Sequence, residues 1–338
     1  MRTSIRVSLC VLFILFLSQC SPKSQSEIYL SGPTMGTIYN IKYVPSDGVE
    51  ADILQKDIDA VLLDVNKLMS TYMPDSELSR FNQWQSSEPF PLSEETLLVM
   101  GEAKRLGELS GGLLDVTVGP LVNLWGFGPQ ARPEKAPSED VVAELRTHIG
   151  LDKLKLYESS ASKADPRLYV DLSTIAKGYG VDRVAQLLEE QQITNYLVEI
   201  GGEMRISGKK LSGAEWWIAI EKPVSQERAV ERIISVGNNG IATSGDYRNY
   251  FEQDGVRYSH LINPLTGSPI THNLVSVTVV APSCMTADGL ATALSIMGKD
   301  KALSLAIENQ LAVLLITKEG NEFKEYTSPM FDQIVTVY

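Results

Sequence analysis

Apolar residues recur along the chain with two different periods, and each period predicts an element. Every second residue from Thr37 to Tyr43 belongs to one face (Thr, Tyr, Ile, Tyr) and alternates with a more polar set, which is the period of a β-strand. From Leu54 to Met69 the apolar residues fall three or four positions apart and form a continuous helical stripe. The pattern therefore predicts a strand followed by an amphipathic helix.

The rest of the chain mixes both periods without regular alternation. Ser93 to Ser110 is predicted to be a helix, and Gly111-Gly112 can supply the positive φ of its C-terminal cap. Helical patterns also occur at about 175–190 and 284–309, and the proline-rich stretch from Pro129 to Glu139 is predicted to be a loop. Strands are predicted at Leu168–Asp171, Tyr196–Ile200, Trp216–Glu221, Tyr258–Ile262, Leu274–Val280 and Leu311–Thr317. Such a mixture favours an α+β fold with mixed sheets and packed helices.

The first nineteen residues have the pattern of a signal peptide. Arg2 and Arg6 precede the apolar run from Val7 to Leu17, which is too short for a comfortable transmembrane anchor. Cys20 follows at the position where bacterial lipoproteins are cleaved and acylated. We expect residues 1–19 to be removed, residues 20–27 to form a lipid-anchored tether and residues 28–338 to form one domain. The alternatives are an ordinary cleaved signal peptide and a retained N-terminal helix.

Charge and cysteine content exclude several classes of protein. The 338 residues carry a formal charge of −12, and loss of the two arginines in residues 1–19 makes it −14. Such an acidic chain without a local basic stretch is not expected to bind nucleic acid. Cys10 would leave with the signal peptide and Cys20 would carry lipid, so Cys284 alone cannot form a disulfide. With His148 interpreted as a surface residue, too few ligands remain for a conventional zinc site.

The segment from Asp171 to Gly180 combines small, hydroxylated and charged residues between a predicted strand and a predicted helix. That arrangement would place backbone amides and a helix N-terminus beside Asp171, Ser173, Thr174 and Lys177, which is a suitable environment for phosphate. The alternative is an ordinary strand–helix connection in which Ser173 caps the helix.

Asp288 and Thr292 lie four residues apart in the segment from Met285 to Ala293. On a helix their side-chain oxygens point to one side, and hard oxygen ligands suit magnesium rather than zinc. In the alternative reading, Thr292 bonds to its own backbone and Asp288 stabilises the start of the helix.

His260 lies at the end of a predicted strand, before the turn of Asn263-Pro264 and Thr266-Gly267. A histidine in such a place can act as general base for a hydroxyl nucleophile. A structural role that orients the turn is the alternative.

Together, eight segments in matching order resemble the ApbE-type FAD:protein FMN transferases, over about residues 28–335. They are Gly32–Thr37, Met69–Tyr72, Gly111–Pro120, Asp171–Gly180, Glu199–Glu203, Ile241–Asp246, His260–Pro264 and Thr286–Thr292. Members of this family are typically exported, often as lipoproteins. One departure is Asn263, where many relatives carry Asp.

The resemblance implies an α+β fold with FAD in a cleft and assigns roles to individual residues. Met35 and Tyr72 would pack on the flavin nucleotide, and further FAD contacts would come from Leu113, Leu114, Asp115, Asp171, Lys177 and Ile262. The magnesium ligands would be Asp288, Thr292 and the backbone carbonyl of Thr174. His260 matches the family's proposed catalytic histidine.

The function implied by the resemblance is transfer of FMN from FAD to a threonine hydroxyl of an acceptor flavoprotein, with magnesium stabilising AMP as leaving group. The expected partners are FAD, acceptor subunits of membrane redox complexes and the membrane itself, reached through the N-terminal lipid. The expected location is the periplasmic face of a bacterial membrane, with the inner membrane favoured. An FAD pyrophosphatase that yields FMN and AMP and a non-enzymatic flavin-binding lipoprotein remain alternatives.

Overall fold

The computed structural model describes residues 26–128, 136–223, 230–245, 250–253, 256–320 and 322–338. The predicted signal peptide, Cys20 and the tether up to residue 25 lie outside the described residues. The predicted loop from Pro129 to Glu139 lies partly outside them as well, and a helix already begins at its last residue. None of the helices in the described ranges is long and apolar enough to cross a membrane.

The described part of the chain forms strands and helices in mixed order. The strands are β1 Ile28–Thr34, β2 Thr37–Tyr43, β3 Phe90–Pro91, β4 Leu154–Leu156, β5 Ser160–Lys163, β6 Tyr196–Ile200, β7 Glu203–Ser207, β8 Ile218–Glu221, β9 Val230–Ser235, β10 Gly240–Gly245, β11 Tyr250–Gln253, β12 Val256–Ser259, β13 Ile262–Asn263, β14 Ser268–Pro269, β15 Leu274–Ala281, β16 Ala312–Glu319, β17 Glu322–Thr327 and β18 Thr336–Val337. The α-helices are α1 Ala51–Met69, α2 Glu77–Gln83, α3 Glu94–Leu109, α4 Gly119–Leu124, α5 Glu139–Arg146, α6 Ala176–Glu190, α7 Cys284–Met297, α8 Lys299–Glu308 and α9 Pro329–Ile334.

An eight-stranded sheet organises the molecule, in the order β1-β2-β6-β7-β10-β15-β16-β17. All neighbouring strands in it are antiparallel. Smaller sheets have the orders β18-β9-β8 and β3-β5-β4, and β11-β12 and β13-β14 are hairpins. The predicted α+β class is confirmed.

The registers give the large sheet two distinct ends. At one end Tyr43 pairs with both Ile28 and Tyr196, and Tyr196 pairs with Ser207, so the start of the described chain lies there. At the other end lies the turn that joins β6 to β7, where Ile200 pairs with Glu203.

Helix α7 is the most buried of the long helices, and Asp288 is the only charged residue in its sequence. It packs on β10 and β15, with α6 beside it. Helix α1 buries the predicted apolar stripe, including Leu54, Ile58 and Leu62, and so confirms the helical period. Helix α3 begins after its N-cap Ser93, and Gly111 and Gly112 have φ of 65° and 86°, as predicted.

Three predicted elements were wrong in part. Leu168–Asp171 is not a strand, because the Val170 backbone bonds to a side chain and not to another strand. The Val170 N–H donates to Asn82 Oδ1 and the Val170 carbonyl oxygen accepts from Asn82 Nδ2, both at 2.8 Å. The predicted helix at 284–309 is two helices, separated by Gly298 with φ of 81°. The run Tyr258–Ile262 is divided between β12 and β13.

His148 is half-buried rather than a surface residue. Its Nδ1 lies 2.8 Å from Asp165 Oδ2, and both side chains are 17% exposed. The hydrogen bond gives this partly buried histidine a polar partner. Cys284 is buried and free, as expected for a lone cysteine.

Candidate active site

One cavity of about 410 Å³ brings most of the predicted site residues together. It lies at the end of the large sheet where β6 turns into β7, and Gly201 of that turn lines it. The predicted residues that line it are Tyr72, Leu113, Leu114, Asp115, Asp171, Thr174, Lys177, His260, Ile262, Asp288 and Thr292. Residues separated by more than 200 positions therefore share one pocket.

Met35 is the predicted site residue that does not line this cavity. Met35 and Gly36 form the two-residue turn between β1 and β2, with φ of 47° and 72°, which is the backbone of a type I′ hairpin. The side chain packs toward α6, where a Cβ on Gly180 would stand 2.7 Å from Met35 Cε. Its contact with the flavin nucleotide stays a prediction.

Asp288 is fixed by the close approach of α6 and α7. Its Oδ2 accepts a hydrogen bond from the backbone N–H of Gly178 at 3.0 Å, and the side chain is buried. A Cβ at Gly178 would lie 2.5 Å from the carbonyl oxygen of Cys284, so only glycine permits this approach. The reading in which Asp288 merely stabilises the start of its own helix is wrong, because its partner is another helix.

Asp182 on α6 holds the first turn of α7. Its carboxylate accepts hydrogen bonds from Ser283 Oγ at 2.7 Å, from the Cys284 N–H at 3.0 Å and from the Met285 N–H at 2.9 Å. Arg205 Nη1 lies 3.0 Å from the same carboxylate. Carboxylate acceptors at a helix N-terminus satisfy free N–H groups and oppose the helix dipole. Sequence reasoning missed this residue.

Glu203 is the second buried acid of the cavity, and it also lacked a predicted role. Its Oε1 lies 2.5 Å from Lys177 Nζ, while its Oε2 is buried without a hydrogen-bond partner. Thr174 Oγ1 is buried and unpartnered in the same pocket. Glu203 belongs to the Glu199–Glu203 motif, whose position after a strand was the available signal.

The charges of this cluster do not balance, since two carboxylates share one ammonium group. Burial, followed by the negative charge of Glu203, raises the pKa of Asp288 to about 8. Burial also raises the pKa of the Glu203 carboxyl. Although burial lowers the pKa of Lys177, the charges of Glu203 and Asp288 raise it above its ordinary value. A buried excess of negative charge favours a bound cation.

The oxygen atoms present fit magnesium. Asp288 and Thr292 line the pocket together with Thr174, and unpartnered buried oxygens on Glu203 and Thr174 remain for a ligand or its waters. In the described residues no group of three or more His, Cys, Asp or Glu could hold a metal. A site of one carboxylate, one hydroxyl and one carbonyl with waters suits a hard divalent ion.

Most backbone N–H groups at the start of α6 already have acceptors, because those of Ile175 and Ala176 donate to the Leu172 carbonyl and that of Gly178 donates to Asp288 Oδ2. Phosphate binding at this connection stays a prediction. The N-cap residue of α6 is Ile175, whose own side chain makes no capping hydrogen bond, so the reading with Ser173 as cap is wrong. Asp171 Oδ1 instead accepts the Ser173 N–H at 2.9 Å. Across the pocket, Asp115 Oδ1 accepts from the N–H and hydroxyl of Thr117 at 2.8 and 2.6 Å, which makes its loop rigid.

His260 lies between β12 and β13 and lines the cavity. Its ring stands edge-on to Phe127, with centroids 6.4 Å apart. The adjacent turn is held by the Asn263 side chain, whose Oδ1 accepts from the Leu265 N–H at 2.9 Å. The turn is thus fastened by Asn263, which shows what that residue contacts. His272, the next histidine along the chain, does not line the cavity, and its Nε2 lies 3.3 Å from the Ile296 carbonyl oxygen.

Aromatic side chains surround the polar cluster. Tyr72 is 76% exposed at the cavity, and Phe127 and Tyr169 also line it although neither was predicted. A wide, exposed aromatic ring near buried polar groups suits a ligand with a planar ring and a charged chain.

A sequence profile described as the ApbE family matches residues 35–315. The chain belongs to the ApbE family. Its relatives include proteins named FAD:protein FMN transferase from Vibrio cholerae, 56% identical over 94% of this chain and 95% of the relative, and from Haemophilus influenzae, 49% identical over 99% of both.

Solved structures of ApbE proteins have the same fold. The flavin transferase ApbE from Vibrio cholerae superimposes with a TM-score of 0.86 at 55% identity, covering 92% of this chain and 99% of that chain. The flavinyl transferase ApbE from Pseudomonas stutzeri, in its apo form, gives 0.85 at 39% identity, covering 92% and 97%. The ApbE cavity described above therefore lies in a fold shared with named flavin transferases.

Proposed function

We propose that this chain transfers FMN from FAD to a threonine hydroxyl of an acceptor protein, releasing AMP in a magnesium-dependent reaction. The observation that carries the proposal is the convergence, in one cavity, of His260 with the two buried carboxyl groups of Asp288 and Glu203. The names of the relatives support flavin transfer to protein as the type of reaction.

The chain's own residues divide the work. Asp288, Thr292 and the Thr174 carbonyl would hold magnesium, with Asp288 oriented by the Gly178 N–H. When bound, magnesium neutralises the pyrophosphate and stabilises AMP as leaving group. Lys177, held by Glu203, adds a positive charge beside the N-terminus of α6.

His260 would accept the proton of the acceptor threonine. As the threonine oxygen attacks the FMN phosphorus, a new phosphorus–oxygen bond forms and the bond to AMP breaks. The imidazolium then returns the proton to solvent. A water molecule in place of the threonine would give free FMN and AMP, so the same residues also serve the pyrophosphatase alternative.

Product analysis distinguishes the three functions. The purified protein is incubated with FAD and magnesium, with and without an acceptor protein, and AMP and protein-bound flavin are measured. AMP that depends on the acceptor supports the transferase. AMP without acceptor identifies a hydrolase, and FAD binding without AMP identifies a carrier.

The same proposal covers the cellular location of the protein. The sequence pattern before Cys20 supports acylation of that cysteine and attachment to the periplasmic face of the inner membrane. Acceptor subunits of membrane redox complexes on the same side would then be within reach.

A further inference from the structure

The small sheet β18-β9-β8 exposes apolar side chains on one of its two faces. Ile218, Ile220 and Ile234 fill the buried face. On the other face Trp217 is 54% exposed and Tyr338 is 59% exposed, with ring centroids 5.5 Å apart.

Two further side chains extend this surface. Ile233 is exposed on β9, and its carbonyl oxygen accepts the Tyr338 N–H at 3.0 Å. Leu211 is exposed in the loop that precedes β8. We call Leu211, Trp217, Ile233 and Tyr338 the apolar patch. Clustered exposed apolar groups, unlike single ones, mark sites of interaction.

Lysines accompany the aromatic rings of the apolar patch. Lys210 Nζ lies 4.8 Å from the Trp217 ring centroid, and Lys209, 60% exposed, lies 2.9 Å from Glu215. Trp and Tyr favour the boundary between hydrocarbon and water, and lysine is attracted to anionic lipid headgroups. In a chain of net charge −12, this is a composition suited to a lipid surface.

The chain enters the fold beside the apolar patch. The Leu211 N–H donates to Glu27 Oε1 at 3.0 Å, which fixes Glu27 at this loop. Six residues lie between Cys20 and Glu27, and the seven steps from one to the other span at most about 25 Å. An acyl chain on Cys20 therefore restricts the apolar patch to the neighbourhood of the bilayer.

We infer that the apolar patch is a bilayer-docking surface, with Trp217 and Tyr338 at the level of the lipid headgroups. The inference rests on the lipid anchor proposed above. Glu27 precedes β1 at the end of the large sheet opposite the cavity, with the seven residues of β1 between them. Docking through the patch therefore turns the cavity away from the membrane.

A lipid surface fits the apolar patch better than a second copy of the chain. A stable dimer needs roughly 800 Å² from each partner, and four side chains supply far less. A tethered protein needs only a weak contact, because the tether keeps the local concentration of lipid high. The indole N–H and phenol hydroxyl also remain solvated at a headgroup boundary.

Quenching of tryptophan fluorescence by lipid tests the inference. The full chain, processed in bacteria, is reconstituted into phosphatidylethanolamine–phosphatidylglycerol vesicles whose acyl chains carry bromine. Trp217→Phe is compared with Trp84→Phe, a control at another exposed tryptophan, since Trp125 and Trp216 are buried. We expect Trp217→Phe to remove most of the bromolipid quenching and Trp84→Phe to leave it unchanged.

Equal quenching in both variants would overturn the docking surface. A Trp217 emission that shifts with protein concentration in lipid-free detergent would also overturn it, because such a shift indicates contact with a second copy of the chain. A protein that is unacylated by mass spectrometry and does not bind vesicles would overturn the inference together with the anchor. FMN transfer measured on the same preparation in detergent reports separately on the proposed function.

Discussion

Individual buried charges have the largest consequences for this site. Asp288 and Glu203 are each less than a tenth exposed, and Lys177 is the one cation that lines the cavity in the described part of the chain. Without a bound cation, the cluster is therefore an electrostatically unfavourable arrangement of buried ionisable groups.

Asp288→Asn is expected to stabilise the metal-free protein and to abolish its response to magnesium. The amide keeps the shape and can still accept the Gly178 N–H, but it removes a carboxyl group whose ionised form is disfavoured by burial and by the charge of Glu203. The gain should be roughly 1–3 kcal/mol in the free energy of unfolding. Chemical denaturation with and without magnesium measures both effects. A variant that is still stabilised by magnesium would show that the ion binds elsewhere.

His260→Ala should slow FMN transfer by about 100- to 10,000-fold while FAD affinity and melting temperature stay near those of the wild type. The reason is that the Asn263 side chain already holds the adjacent turn. His272→Ala is the control, because that ring lies outside the cavity. Loss of FAD binding together with stability in His260→Ala would indicate a structural histidine instead.

The buried Lys163 is expected to make the free energy of unfolding rise at alkaline pH. The amine is 1% exposed, and burial lowers its pKa from 10.5 to about 8. Between those two values the unfolded chain binds the proton and the folded chain does not, so stability increases as pH rises from about 8 to 10.5. The contribution is at most roughly 3 kcal/mol. Lys163→Met should lack this increase in urea denaturation at a series of pH values, and parallel curves would contradict the assignment.

At the residue level, the sequence alone predicted which functional groups act together only where those groups lie close together along the chain. Asp288 and Thr292 are four apart on one helix, so their common direction follows from helical geometry alone. Glu203 and Lys177 are 26 residues apart, and Asp288 and Gly178 are 110 apart. Such contacts depend on tertiary packing, which a single sequence does not display.

Among the elements, α7 carries the site, and its position is set by its first turn. Asp182 binds that turn from α6, while Gly178 and Gly240 allow close approach, since a Cβ on Gly240 would lie 2.5 Å from the Cys284 nitrogen. The helix that bears Asp288 and Thr292 is thus located by groups that do not line the cavity.

Asp182→Ala is expected to weaken magnesium binding about tenfold and to reduce stability by about 1–2 kcal/mol, because the N-terminus of α7 loses its acceptors. Ser328→Ala is the matched control: Ser328 also makes three hydrogen bonds, to the Leu311 carbonyl and from the N–H groups of Val313 and Phe331, but it caps α9. Calorimetric titration with magnesium and thermal unfolding measure the two effects. Equal magnesium affinity in both variants would limit Asp182 to stability.

The elements themselves were predictable where periodicity was long. The stripe of α1 and the alternation of β2 were visible because burial repeats over several turns or residues. Leu168–Asp171 has the same apolar character, yet its backbone is paired with the Asn82 side chain and with Val116. A periodic pattern of apolar residues therefore indicates which side chains are buried, but it does not show which groups form hydrogen bonds with the backbone.

For the whole molecule, the proposed lipid anchor would determine where the reaction takes place. In Cys20→Ser, acylation is impossible, so the protein should either be released from the membrane or accumulate in unprocessed form. Membrane fractionation and the mass of the mature N-terminus check this outcome. A soluble wild-type protein with an unmodified N-terminus elsewhere would contradict the anchor.

The two edge strands of the large sheet limit how an acceptor protein can be recognised. β1 carries Pro33, which has no N–H to donate, and β17 presents Glu322 and Lys324 to solvent. Proline and exposed charge at an edge oppose pairing with a further strand. Recognition by strand addition is therefore disfavoured at both edges. Under the proposed function, an acceptor would instead offer its threonine on a segment that reaches the cavity through side-chain contacts, where Tyr72 is the most exposed aromatic ring.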